Sequence, residues 1–271
     1  METQPRSLIT TLYGLYARAE QDWLSVASLV RLMADLGVEA AAVRSSVSRL
    51  KKRDVLRSLD REGRAGYVLS PSTAAILRDG DTRIWSRRRA EAQDGWLVVV
   101  FSVPEAERER RHTLRTQLRR LGFGTVAPGV WVAPGTTYDE AVRALDRHDL
   151  TAYTDFFDGT WLDPDGPGDA LRERIGRWWD LGALERAHRA FVNEYAPQLR
   201  RGAVPPREAF TTYVPMLTAW RRLPYLDPGL PLGLLPEDWA GLSAERLFAD
   251  LDERLRGHAE KHARALIHSP G

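Results

Sequence analysis

The sequence predicts an α+β protein of three successive parts, and three observations carry that prediction. Two helix-period segments lead into a basic hairpin before residue 70, and an apolar run rich in β-branched residues occupies residues 96–103. Beyond residue 169 the apolar positions recur at helical spacing. We place the first part at residues 1–80, a linker at 81–95, the second part at 96–162 and the third at 169–268.

The first part opens with two short helices joined by a tight turn. Apolar residues repeat at helical spacing up to Gly37, where glycine tolerates a positive φ. A second helix starts near Glu39 and places Val43, Val47 and Leu50 on one face. Its other sides carry small and cationic residues, which suit a helix that enters a DNA major groove: Arg44, Ser45, Ser48, Arg49 and Lys52.

A basic β-hairpin follows the second helix. Residues 55–59 and 66–70 are predicted to pair across a turn at 60–65, and Arg61 and Arg64 at its tip are placed to grip the DNA backbone. This arrangement is the outline of a winged helix-turn-helix and makes double-stranded DNA the first predicted partner. The alternative is a small helical domain whose basic face is only solvated.

Charge is distributed unevenly along the chain. Residues 1–90 hold 16 Lys/Arg against 10 Asp/Glu, whereas residues 91–271 hold 23 against 27. A basic front end on a mildly acidic body is the electrostatic pattern of a DNA-binding domain attached to a sensing or dimerising body. The chain has no cysteine, no apolar run long enough for a membrane span and no visible secretory signal, so we expect a cytoplasmic protein.

The second part begins after a connector, predicted from Gly80 to Arg89, that contains three successive arginines. A strand at 96–103 is followed by a helix at 105–121, two strands at 123–127 and 130–133 around Pro128-Gly129, a helix at 138–146 and a strand near 151–156. The order βαββαβ predicts a ferredoxin-like sheet. Helices are predicted in the third part at 170–181, 184–199, 207–223 and 244–266, with a proline-rich crossing at 226–236.

Sequence motifs of enzymes are absent or incomplete. There is no Gly-x-Ser-x-Gly elbow and no phosphate-binding loop ending in Gly-Lys-Ser/Thr. His258, Glu260 and His262 have metal-compatible spacing but no evident third ligand, so we interpret them as a solvated helix face. The Asp163-x-Asp165-Gly166 segment lacks the further ligands of a calcium loop and is interpreted as a turn. We therefore predict no catalytic residues, no metal and no cofactor.

Several segments together resemble the PaaX family of bacterial repressors of phenylacetate and related aromatic catabolism. The resemblance covers nearly the full length, including residues 43–50, the Gly63–Tyr67 hairpin segment and residues 115–134. Its most specific segments are Asp227-Pro228-Gly229-Leu230-Pro231 and the run from Leu234 to Gly241. It implies a homodimeric repressor, with a central domain similar to a CRISPR-associated nuclease, that an aryl-CoA thioester, typically phenylacetyl-CoA, releases from its operator.

A CoA thioester requires cations for its phosphates and apolar or aromatic walls for its acyl and adenine groups. The candidates for this effector site are Arg108, Arg111, Arg115, Trp131, Trp178 and Trp179, with Arg110, Arg119 and Trp220 as further possibilities; solvated arginines and core tryptophans are the alternatives. The strand at 96–103 ends without the aspartate of such a nuclease, so nuclease activity is not expected. The alternative function is a nucleic-acid-binding or protein-interaction module without sequence preference.

Overall fold

The computed structural model describes residues 4–162 and 170–269, which form α-helices and two antiparallel sheets. The helices are α1 (Pro5–Leu12), α2 (Val26–Asp35), α3 (Ala40–Lys52), α4 (Pro71–Trp85), α5 (Arg108–Arg120), α6 (Tyr138–Asp146), α7 (Ala170–Trp178), α8 (Leu181–Tyr195), α9 (Pro206–Trp220), α10 (Leu223–Leu226) and α11 (Ala240–His268). The strands are β1 (Trp23–Ser25), β2 (Leu56–Ser58), β3 (Gly66–Leu69), β4 (Trp96–Phe101), β5 (Gly124–Ala127), β6 (Val130–Pro134) and β7 (Thr154–Gly159). The α+β class predicted from the sequence is confirmed. The predicted turn at Asp163–Gly166 lies outside the described residues.

The chain divides into two compact units, and both are discontinuous in sequence. The first consists of Met1–Ser86, Phe191–Arg221 and Ser243–Gly271, and the second of Arg87–Ala190 and Arg222–Leu242. The helices of the third predicted part, 169–268, are divided between the two units. Amphipathic spacing shows that a helix has a buried face but does not identify the partner that covers it.

The first unit contains a three-stranded sheet of order β1-β3-β2 beside α2 and α3. β2 and β3 form the predicted hairpin, with Arg57 opposite Val68. β1 was not predicted from the sequence; it pairs with β3 over only three residues and leads directly into α2. Ser25 ends this strand and caps α2, since its Oγ accepts from the Ser28 amide at 3.0 Å.

The predicted connector at 80–89 differs from the observed structure. α4 extends to Trp85 and includes Gly80, and it is capped by Ser70, whose Oγ accepts from the Thr73 amide at 3.2 Å. Glycine lowers helix propensity by only about 1 kcal/mol, so the capped helix continues through it. The predicted 81–95 linker therefore begins inside a helix.

The second unit contains a four-stranded antiparallel sheet of order β5-β6-β4-β7. Along the chain its elements follow the order strand, helix, strand, strand, helix, strand, from β4 to β7. One side of the sheet packs against α5 and α6 through a core that includes Val99, Leu118, Trp131 and Leu145. α5 begins at Arg108, after a 3-10 turn, and not at residue 105 as predicted. β7 begins at Thr154, three residues later than predicted.

A second apolar cluster in this unit joins Val132 of β6 to Ile175, Trp179 and Trp239. Trp179 is buried, and its Nε1 donates to the Gly122 carbonyl at 2.8 Å. Trp178 contacts the ring of Trp96 edge-on, with the ring centroids 6.4 Å apart. No helix of the described residues is both long and apolar enough to cross a membrane.

The proline-rich crossing contains a buried charged cluster around Asp227, which is 3 % exposed. Arg89 Nη2 and His188 Nε2 each lie 3.3 Å from Asp227 Oδ2, and the Gly229 amide donates to Oδ1 at 2.6 Å. Arg87 donates to the carbonyls of Pro224 and Asp227. Burial by itself would raise the pKa of Asp227, but His188, Arg89, Arg87 and the Gly229 amide together hold it well below the ordinary value.

Candidate nucleic-acid interface

The five residues predicted on the second helix lie together on one exposed surface of α3. Arg44, Ser48 and Lys52 follow one another at four-residue spacing, and Ser45 and Arg49 form the adjacent row. The opposite side of α3 buries Val43, Ser46, Val47 and Leu50. The hydrophobic period therefore fixes which side chains remain available to a partner.

The cations on this surface differ in what they contact. Arg44 and Lys52 have no hydrogen-bond or ion-pair partner among the described residues, whereas Arg49 Nη2 lies 3.4 Å from Ser46 Oγ. Lys51 lies on another side, where its Nζ donates to Ser58 Oγ at 2.7 Å and is 5.9 Å from the Tyr67 ring centroid. Lys51 thus ties α3 to the hairpin, a role that spacing within one helix could not indicate.

The turn before α3 is short and well defined. Gly37 has φ +76°, and the Val38 amide donates to the Met33 carbonyl at 2.9 Å, which closes the end of α2. An L-residue is disfavoured at that φ, so glycine allows the chain to reverse directly into α3.

α2 is held along one side by the last turns of α11, a contact that the sequence analysis did not anticipate. Ser28 Oγ donates to the Ile267 carbonyl at 3.1 Å, and Arg31 Nη2 donates to the carbonyls of Leu266 and Ser269, each at 3.1 Å. These arginine bonds satisfy carbonyls that a helix end otherwise leaves without partners. α2, the helix that precedes α3, is therefore supported by residues more than 230 positions away.

Asp35 extends this support at the other end of α2. Its carboxylate contacts His262 Nε2 at 2.6 Å and Arg207 Nη2 at 2.9 Å. Burial tends to raise the pKa of Asp35, but the bonds and charges of His262 and Arg207 hold it below the ordinary value. The sequence interpretation of His262 as solvated is wrong, because only 17 % of its side chain is exposed. No group of three His, Cys, Asp or Glu side chains in the described ranges could hold a metal ion.

The hairpin tip carries the two predicted arginines in different settings. Arg64 is exposed, and its Nη2 lies 3.8 Å from Glu62 Oε2. Arg61 is half-buried and donates to the carbonyls of Glu20 and Gln21 at 3.1 and 3.3 Å. Only Arg64 is thus presented fully to solvent.

The effector candidates divide into two groups in the second unit. Arg111, Arg115 and Trp131 line a cleft of about 660 Å³, together with Phe101, Val103 and the β5–β6 turn. Arg108 is exposed but does not line it, and Trp178 and Trp179 belong to the apolar cluster described above. The sequence could not separate these groups, because tryptophan suits a binding wall and a core equally well.

The two arginines of the cleft are also unlike each other. Arg111 donates to the Val103 carbonyl at 2.7 Å and pairs with Glu105 at 2.9 Å. Arg115 is exposed and has no hydrogen-bond or ion-pair partner within the described ranges. Trp131 also lines the cleft and is 1 % exposed. The cleft therefore combines one available guanidinium with aromatic and aliphatic walls.

The fold and these surfaces define a class: a two-unit α+β protein with a basic helix and hairpin exposed on one unit. Three family models match successive segments, described as PaaX-like protein (residues 4–73), PaaX protein central Cas2-like domain (89–174) and PaaX-like protein C-terminal domain (179–265). The chain belongs to the PaaX family. The family predicted from the sequence is thereby confirmed.

Individual proteins are also similar to this chain. It is 28 % identical over 258 residues to the transcriptional repressor PaaX of Escherichia coli (strain K12), a match that covers 92 % of this chain and 79 % of that protein. Among solved structures it is similar to the uncharacterized protein Rv0674 from Mycobacterium tuberculosis, with a TM-score of 0.57, 22 % identity, and coverage of 93 % of this chain and 96 % of that one. The second similarity concerns the fold alone.

Proposed function

We propose that this protein is a transcriptional repressor that binds operator DNA through α3. The observation that carries the proposal is the exposed surface of α3, where two cations flank small hydroxyl side chains and have no hydrogen-bond or ion-pair partner in the described part of the chain. The repressor function of the Escherichia coli relative and the family membership support a regulator rather than an enzyme. A protein that binds operator DNA in a bacterium would act in the cytoplasm.

The first unit supports a winged helix-turn-helix. α2, the Gly37 turn and α3 would form the helix pair, and β2–β3 would form the wing. In this arrangement Arg44 and Arg49 contact bases or phosphates, Ser45 and Ser48 make short hydrogen bonds, and Lys52 contacts a phosphate. Arg61 and Arg64 complete the basic surface at the wing.

The strand order of the second unit supports a ferredoxin-like domain. In agreement with a regulatory role, the end of β4 and the residues after it, Phe101 to Pro104, contain no aspartate for a nuclease metal site. We further propose a homodimer, which would bind an inverted repeat whose half-sites lie about one helical turn apart.

We place the effector in the cleft of the second unit and propose an aryl-CoA thioester such as phenylacetyl-CoA. Arg115 would contact a phosphate, because a guanidinium binds phosphate oxygens in a bidentate manner. Phe101, Val103 and Trp131 would face the acyl group. Arg111 would shape the wall through its bonds to Val103 and Glu105, and Arg108, Trp178 and Trp179 are not part of this site.

The experiment is a fluorescence-anisotropy titration of the protein on DNA from its own promoter region at near-physiological salt. It is repeated with competitor DNA and with phenylacetyl-CoA. Specific binding that the thioester releases supports both parts of the proposal, while specific binding that ignores it retains the repressor and removes the effector. Equal binding to all DNA favours a nucleic-acid-binding module without sequence preference.

A further inference from the structure

The tip of the β2–β3 hairpin is a two-residue turn of fixed geometry. Arg61 and Arg64 exchange backbone hydrogen bonds of 3.0 and 2.9 Å, and the residues between them, Glu62 and Gly63, have φ +48° and +73°. Two successive positive φ values define the type I′ turn, whose twist matches that of paired strands. The backbone thus places both arginines at the same end of the hairpin.

Trp23 lies beneath this turn and contacts both arginines. The guanidinium carbons of Arg61 and Arg64 lie 5.5 and 5.6 Å from its ring centroid, within the range of cation–π attraction. Its indole Nε1 donates to the Leu59 carbonyl at 2.8 Å. A Cβ at Gly66 would overlap the indole ring, so the glycine is required for this close approach. Trp23 is 7 % exposed and is therefore fixed by its surroundings.

The guanidinium of Arg61 forms hydrogen bonds within the protein. Its two terminal nitrogens bind the carbonyls of Glu20 and Gln21, in the segment that leads to β1. This segment has a left-handed backbone at Gln21 (φ +54°) and Asp22 (φ +61°), and the paired donors of Arg61 hold it against the hairpin. Arg61 therefore joins the hairpin tip to the strand that carries Trp23.

We infer that Arg61 and Trp23 are positioning residues and that Arg64 alone contacts a DNA phosphate from the wing. This inference rests on the proposed DNA binding. A phosphate near Arg64 would replace its loose contact with Glu62, which is 3.8 Å away. The turn and the indole ring limit the conformations of the Arg64 side chain. Less side-chain conformational entropy is therefore lost when DNA binds.

Lysine variants separate contact from positioning. A lysine at position 64 preserves a point charge for a phosphate, so Arg64→Lys should bind nearly as well as the wild type, while Arg64→Ala should bind about tenfold more weakly. A lysine at position 61 cannot bind two carbonyls with a planar fork, so Arg61→Lys should weaken binding as Arg64→Ala does. For Arg64→Ala the slope of log affinity against log salt should fall by about 0.9.

The double-mutant cycle completes the test. If Arg61 acts through Arg64, Arg61→Lys/Arg64→Ala binds no more weakly than Arg64→Ala alone. Additive losses, or an Arg61→Lys variant that binds like the wild type, would overturn the inference. Arg246→Ala on α11 removes an exposed charge elsewhere on the first unit and serves as the matched control.

A measurement without DNA keeps the outcome independent of the binding assay. The Arg64 amide donates to the Arg61 carbonyl, so hydrogen exchange at Arg64 should accelerate in Arg61→Lys and in Trp23→Phe, while α3 remains protected. Unchanged exchange at Arg64 would contradict the positioning role. A wild-type protein that binds no DNA would overturn the proposed function itself, which this exchange measurement distinguishes from failure of the positioning role.

Discussion

The arginines of α3 and those that precede β4 have opposite environments. Arg44 is exposed and has no hydrogen-bond or ion-pair partner in the part of the chain described, whereas Arg87 and Arg89 are bonded to the loop around the buried Asp227. All three occur in basic stretches of the sequence. The comparison shows that an arginine's availability to a partner depends on the carboxylates and carbonyls that the fold brings to it.

The largest effect is expected where the charges are buried. Asp227→Asn leaves the guanidinium groups of Arg87 and Arg89 without a buried counter-charge, and loss of one partner of such a pair costs about 3–5 kcal/mol. The free energy of unfolding, measured by urea denaturation, should fall by that amount. Asp238→Asn removes an exposed carboxylate that pairs with the exposed Arg189 and should change it little.

The effect of Asp227→Asn on the free energy of unfolding should depend on pH. Because the pKa of Asp227 is lowered on folding, its carboxylate stabilises the protein fully above the ordinary carboxyl pKa of about 4. That stabilisation is lost as the pH falls below this value toward the lowered pKa. The stability difference between wild type and Asp227→Asn should therefore be constant from about pH 5 to 8 and shrink in acid; a constant difference at all pH values would contradict the assignment.

Replacement of the exposed Arg44 should affect DNA binding and not stability. Arg44→Ala should leave the unfolding free energy unchanged but weaken operator binding by about 1–3 kcal/mol if it contacts a guanine, with a smaller loss on random DNA. Anisotropy titrations on both DNAs measure the difference. Equal losses on operator and random DNA would remove Arg44 from base reading.

The contrast between the two sets of arginines also shows which structural features the sequence can predict. The period of Val43, Val47 and Leu50 predicted the exposed side of α3 correctly, because local geometry alone determines it. The partners of Arg61 and Arg87 lie about 40 and 140 residues away, and periodicity carries no information at that distance. The support of α2 by α11 was missed for the same reason.

The cleft of the second unit contains an arginine bonded within the protein, Arg111, and an exposed arginine, Arg115. Arg115→Ala should weaken phenylacetyl-CoA binding about tenfold, measured by calorimetry, without a change in stability. Arg111→Ala should also lower the unfolding temperature, because Arg111 binds the Val103 carbonyl. The double variant should bind operator DNA normally and lose its response to the thioester; an unchanged response would remove both residues from the effector site.

The smallest effect is expected at Asp35, whose exposure is intermediate between that of the buried Asp227 and that of the exposed Arg44. Its partners His262 and Arg207 come from α11 and α9, and the Arg207 side chain is 69 % exposed, so solvent weakens the pair. Asp35→Asn should lower the unfolding free energy by roughly 1 kcal/mol and increase hydrogen exchange in α2. Asp60→Asn, at an exposed position without a partner among residues 4–162 and 170–269, is the control. If both variants exchange alike, the Asp35 cluster does not hold α2, and the bonds of Ser28 and Arg31 to the end of α11 are sufficient to support the helix that precedes α3.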